Sequence, residues 1–182
     1  MRAGGFRKSA HVVIVESLSI TKKMKSFLLI LAFAMGSIPV LAQNRVYDES
    51  IDPLAQIEQA VKDAARDHKY VICQLGGNWC RWCVMFSRFI QQDPEIDKVV
   101  KDNFVYAHVN FKSRKDPLSQ KVSKRLGNAG RFGFPVLVIL DTDGSVLHIQ
   151  NSSYLEDGDG YSKDKVLGFF QQWTPAAVRG EN

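Results

Sequence analysis

The sequence predicts an α/β domain, a mixed central sheet of about four to five strands with helices on both faces. Three observations carry this. Segments with helical periodicity alternate with short runs of β-branched and aromatic residues. The first strands are separated by helical segments, which calls for parallel pairing through a right-handed crossover. The last two strands are joined by "DTDG" (141–144), which calls for an antiparallel hairpin.

Each element follows from its residues. In 52–69, Leu54, Ile57, Val61 and Ala64/Ala65 recur at helical spacing, with Asp52 as N-cap and Pro53 in the first turn. "YVICQL" (70–75) is a buried strand, broken by Gly76 and Gly77. A helix is expected from about Cys80, with Val84, Met85, Phe86, Phe89 and Ile90 on its buried side. It is interrupted near Pro94, after which "DPEIDKVVKD" continues as a short helix. "FVYAHVNF" (104–111) alternates as a second strand. "DPLSQKVSKRLG" is helical up to Gly127, and "PVLVIL" (135–140) and "SVLHIQ" (145–150) form the hairpin. A last helix in "YSKDKVLGFFQQW" packs Val166, Leu167, Phe169, Phe170 and Trp173.

The formal charge of +5 comes from the start of the chain. Residues 1–42 hold six basic residues and one acidic one, and from Gln43 onward there are 18 of each. The later part is neutral and lacks a basic face interleaved with aromatics, so nucleic acid is not an expected partner. Met24 and Lys25 open a basic start followed by an apolar run, Phe27–Leu41, and a small-residue site after Ala42. That is the layout of a secretory signal. The run of 15 residues is shorter than the ~20 of a membrane span. The expected organisation is therefore a misassigned upstream start over 1–23, a signal peptide over 24–42 and one domain over 43–182. The protein is then exported, to the periplasm in a bacterium, with an uncleaved membrane anchor as the alternative.

Export favours disulfides, yet the three cysteines, Cys73, Cys80 and Cys83, lie within eleven residues. They cannot tie distant segments together. One CxxC and an odd thiol point to a local, cycling dithiol. Two other readings stand beside it. A zinc half-site needs four ligands, and Cys73, Cys80, Cys83 and a histidine supply them only on paper. The pair could also be inert. Placement favours redox chemistry: Cys80 sits where a buried strand has ended and a helix begins. The free N–H groups and partial positive charge of a helix start lower a thiol below its usual ~8.5. Arg81 adds positive charge. Cys83 lies one turn on and deeper. Cys80 attacks a partner disulfide and Cys83 resolves the mixed disulfide, with Trp79 and Trp82 flanking the sulfurs. Cys73 is expected as a core thiol.

"NWCRWC" after "YVICQL", together with "FGFP" leading into "PVLVILDTDGSV", resembles the thioredoxin superfamily, and most of all its exported bacterial members with a WCxWC site. The resemblance covers roughly residues 50–175. It implies a thioredoxin-like fold, a thiol–disulfide oxidoreductase acting on protein disulfides or dithiols, no metal and no cofactor, and a monomer. It also implies a cis Pro135 against the dithiol and a Phe134 backbone that pairs with extended substrate. A reductant in an exported compartment draws electrons from a membrane partner. The chain departs from the family at two places. Gln74 stands where a buried aspartate is usual, and His108 where a lysine is common. Gln74 cannot accept a proton, so His108, kept neutral by burial, is expected to take over part of that role. The alternatives to turnover are a substrate-binding or chaperone-like module and a metal-handling dithiol. Of the remaining motifs, "EDGDGYSKD" (156–164) fails the calcium-loop spacing and is expected as a solvated loop, as is "KSRKD" (112–116).

Overall fold

A computed structural model describes residues 45–181. The expected upstream extension and signal peptide lie outside the described residues. Helix α1 spans Pro53–Asp67, and the Asp52 side chain accepts from the Leu54 and Ala55 N–H groups. That satisfies two donors a helix start leaves free. Strand β1, Tyr70–Gly76, is buried throughout. Helices α2, Arg81–Gln92, and α3, Pro94–Asn103, follow, divided at Asp93 and Pro94. Strand β2 is Phe104–Asn110 and helix α4 is Pro117–Arg125. Gly127, at φ 67°, ends α4. The Gly127 and Asn128 N–H groups turn back to the Lys124 and Ser123 carbonyls in a Schellman motif. Strands β3, Val136–Leu140, and β4, Val146–Asn151, form the hairpin.

Among the described residues the main sheet has four strands, ordered β2-β1-β3-β4. β1 pairs parallel with β2, and β3 antiparallel with β4, as the connections predicted; the antiparallel pairing of β3 with β1 does not follow from the connections. Alternation along β1 separates two cores. Val71, Cys73 and Leu75 face Ile57, Ala60 and Ala64 of α1. Tyr70 and Ile72 face Phe86 and Ile90 of α2, Ile96 and Val100 of α3, and Phe170 of the last long helix.

Several expectations need correction. The sealed face of α2 is Cys83, Phe86, Ser87 and Ile90, while Val84, Met85 and Phe89 are only half-buried. A serine thus occupies an apolar-looking stripe. Ala65 is exposed and Ala60 takes its place in the core. The segment expected as a solvated loop folds into a short ribbon, β5 (Glu156–Asp157) with β6 (Gly160–Tyr161), which buries Tyr161. Helix α5, Lys163–Gln172, therefore starts after Tyr161, capped by Ser162. A short helix α6, Pro175–Arg179, follows.

Candidate active site

β1 stops at Gly76, the chain turns through Gly77, Asn78 and Trp79, and α2 begins at Arg81 with Cys80 as its N-cap. Cys80 is extended (φ −98°, ψ 104°), and its sulfur accepts the Cys83 N–H at 3.2 Å. One of the free donors of the helix start therefore lies on the sulfur that the sequence marks as nucleophile. Cys80 and Cys83 are joined by a disulfide, with Cα atoms 5.2 Å apart. Cys80 retains 7% exposure and Cys83 none. An attacking thiolate thus reaches only the first sulfur.

Gly76 is required by close approach. A Cβ there would lie 2.5 Å from Cys83 Sγ and 2.8 Å from the Tyr47 hydroxyl.

An aromatic rim surrounds the pair. Trp79 is 56% exposed, donates its indole N–H to the Phe111 carbonyl (2.8 Å), and meets Phe134 edge-on at 5.4 Å. The Phe134–Pro135 peptide is cis. The Arg114 guanidinium lies 5.8 Å from the Phe134 ring centre, so part of the basic segment 112–116 belongs to the rim rather than to a solvated turn. Trp82 is half-buried against Tyr161, whose hydroxyl donates to the Trp82 carbonyl. Arg81 is exposed beside the pair.

Beneath Cys83 runs a chain of polar side chains centred on Gln74, which is fully buried. Its Nε2 donates to the Cys83 carbonyl (2.9 Å) and to the Tyr47 hydroxyl (2.5 Å). Its Oε1 accepts from the hydroxyls of Tyr106 (2.6 Å) and Ser87 (3.1 Å). His108 Nε2 lies 2.8 Å from Ser87 Oγ. The Ser87 proton points to Gln74, so His108 Nε2 carries hydrogen and donates, a tautomer assigned from the network. Burial holds the His108 imidazole down at about 4, so it is neutral near pH 7. Its ring borders a cavity of about 460 Å³ also lined by Tyr106, Asp97 and Lys101. Burial also pushes the Tyr47 and Tyr106 phenols up, which keeps both as neutral donors.

Tyr47 comes from the segment ahead of α1, and Asn78 clasps that segment. Asn78 Oδ1 accepts the Val46 and Tyr47 N–H groups, and Nδ2 donates to the Tyr47 carbonyl and Glu49.

The structure thus brings Trp79, Cys80, Arg81, Trp82, Cys83, Gln74, His108, Phe134 and Pro135 to one end of the sheet. Cys73 is left on the opposite face, sealed, its thiol pushed by burial to about 12. Among the described residues no group of three His, Cys, Asp or Glu side chains is placed to hold a metal. Sequence reasoning missed Tyr47, Ser87, Tyr106 and Arg114. Two of these had a signal. Ser87 is four residues after Cys83 on one helix, and Tyr106 is two before His108 on one strand, so each shares a face with a named residue. Tyr47 sits in a segment without periodicity and had none.

A sequence model of the thioredoxin-like family matches residues 52–142. No curated protein sequence matches the chain. Among solved structures, a disulphide isomerase from Xylella fastidiosa Temecula1 is 23% identical with TM-score 0.63, over 72% of this chain and 98% of that one. The oxidised DsbD C-terminal domain from Neisseria meningitidis is 22% identical with TM-score 0.47, over 65% and 94%. At such identity the likeness is one of fold.

Proposed function

We propose, from the premise that this chain belongs to the thioredoxin-like family, that it is a thiol–disulfide oxidoreductase acting on protein substrates. The observation that carries this reading is the asymmetry of the Cys80–Cys83 disulfide. It sits at a helix start with Cys80 7% exposed and Cys83 fully sealed. In the reduced protein, the Cys80 thiolate, held by the Cys83 N–H and the helix start, attacks a substrate disulfide. A mixed disulfide forms and a substrate thiolate leaves. Cys83 then attacks Cys80, the protein disulfide closes, and the second substrate sulfur departs. The reverse sequence oxidises a substrate dithiol.

Trp79 and Phe134 supply an apolar rim against which an extended substrate segment lies, and the backbone before Pro135 is the edge it pairs with. Gln74 holds the Cys83 carbonyl and so orients the first turn of α2. His108 supports Gln74 through Ser87, and its Nδ1 is the ring atom left for proton exchange. The leader sequence supports an exported setting, and in such a compartment a membrane protein supplies or removes the electrons.

The test is reduction of insulin by dithiothreitol. Turnover should be lost in Cys80→Ser, and Cys83→Ser should accumulate a mixed disulfide with substrate. Binding of substrate without turnover in the native protein would instead make the chain a holding module. Equilibration with glutathione then gives the direction of exchange.

A further inference from the structure

We infer that in the reduced protein the Tyr47 hydroxyl donates a hydrogen bond to the sulfur of Cys83, supplied to the dithiol by the segment ahead of α1. This rests on the thiol–disulfide reading above, in which Cys83 resolves the mixed disulfide.

Gln74 fixes the direction of the proton. The Cys83 carbonyl can only accept, so the amide edge 2.9 Å from it is Nε2. The same Nε2 donates to the Tyr47 oxygen. The other edge, Oε1, is taken by the Tyr106 and Ser87 hydroxyls. Tyr47 oxygen therefore enters this network as an acceptor, and its own proton is free for another partner. Cys83 Sγ is a near neighbour, because it and the Tyr47 hydroxyl lie 2.5 Å and 2.8 Å from one point, the place a Cβ on Gly76 would take. The disulfide form has no hydrogen bond between them, and reduction frees the sulfur to accept one. Tyr47, Cys80 and Cys83 form one packed cluster, and Tyr47 and Cys83 are both fully sealed from solvent. The Asn78 clasp holds the segment in place from the loop that carries the cysteines.

The hydroxyl matters at the resolving step. The Cys83 thiolate attacks Cys80 Sγ, the Cys80–Cys83 bond forms, and the bond from Cys80 to the substrate sulfur breaks. The substrate sulfur leaves with the electron pair and takes up the proton that Cys83 gave. The dithiol loses two electrons and the substrate disulfide gains them. A buried thiol without a donor is hard to ionise, as Cys73 shows at about 12. A donor aimed at Cys83 stabilises its thiolate and enlarges the fraction ready to attack. The titratable groups around Cys83 are Cys80 at the cap of its own helix and Tyr47 from the leading segment. Tyr106 and His108 from β2 reach it through Gln74 and Ser87, Tyr161 from β6 through the Trp82 carbonyl, and Arg81 flanks the motif.

The experiment titrates the Cys83 thiolate by ultraviolet absorbance in full-length Cys80→Ser, with and without Tyr47→Phe. Cys73 stays silent in this range. Loss of the hydroxyl should raise the Cys83 midpoint by about 1 to 2 pH units, with the fold intact by circular dichroism. An unmoved midpoint in a folded Tyr47→Phe protein overturns the inference. A second measurement leaves Tyr47 in place. With ring-labelled tyrosine in Cys80→Ser, the Tyr47 carbon resonance beside the hydroxyl should shift along the Cys83 titration, and a resonance indifferent to Cys83 also overturns it. Neither readout uses turnover, so a protein that fails to reduce insulin sinks the proposed function alone.

Discussion

Cys73 and Gln74 are neighbours on β1 and face opposite sides of the same sheet. Cys73 pairs across to Ala107 and Val138 and lies in a core built of aliphatic and aromatic side chains. Gln74 pairs to His108 and Leu137 and holds four hydrogen bonds, to Tyr47, the Cys83 carbonyl, Tyr106 and Ser87. Both are fully buried. One face is closed by apolar contact alone. The other carries a polar string where the strand ends and the dithiol begins. Among the described residues no buried side-chain polar atom lacks a partner, so the string is complete and held in one arrangement. Burial makes the Cys73 sulfur inert. The Cys80 sulfur lives because it meets a helix start and solvent.

The largest expected effect comes from breaking the polar face. Gln74→Leu keeps the volume and takes one partner each from the Cys83 carbonyl and three hydroxyls, of which Ser87 keeps its bond to His108. A buried group left without its partner costs about 1 to 3 kcal/mol, and some of the hydroxyls can turn to one another. The expected loss of stability is about 3 to 5 kcal/mol, read from urea unfolding of the oxidised protein. A loss under about 1 kcal/mol would mean that the string contributes no more than apolar packing.

Next is the pH response of the same face. His108 titrates at about 4 in the folded chain, because burial disfavours its charged form, and near ~6.5 when unfolded. Between these values the unfolded chain holds the extra proton, so stability rises with pH. It is intact above about 6.5 and lost progressively down to about 4, by on the order of 3 kcal/mol. His108→Gln keeps a donor for Ser87 and should flatten this part of the curve. An unaltered slope between pH 4 and 6.5 would assign it to other groups.

The two faces were not equally legible in the sequence. The apolar face was open to a reader, since the stretch from Tyr70 to Leu75 announces a buried strand and Ile57 and Ala64 announce the helix covering it. The dithiol was legible too, because two cysteines at a strand-to-helix junction have few other uses. The polar face was visible only at its ends, Gln74 and His108. Its middle, Ser87, hid inside an apparently apolar helix face. Its far member, Tyr47, reaches the site from 27 residues away along the chain, held by Asn78. Such a contact follows from tertiary packing, which no local spacing encodes. Tyr161 was misplaced for a similar reason. A Gly- and Asp-rich stretch has the composition of a solvated loop, yet here it makes a ribbon that turns one aromatic ring onto Trp82 and Phe86.

The smallest effect sharpens the contrast. Cys73→Ala removes one sulfur from a packed core and leaves a small cavity, at a cost of about 1 to 2 kcal/mol. It touches no hydrogen bond, and the dithiol lies on the other side of the strand. The equilibrium constant with glutathione and the rate of insulin reduction should match those of the native protein. Reduced native protein at pH 8 should accordingly take up one equivalent of iodoacetamide, at Cys80, with two more only after denaturation. Cys83 is as sealed as Cys73, while Cys80 is 7% exposed, so burial separates the first equivalent from the other two. A further equivalent taken up at Cys73 by the folded protein at a similar rate would show that the apolar face opens. The line between an inert sulfur and a working one would then have to be drawn by ionisation at the helix start rather than by burial.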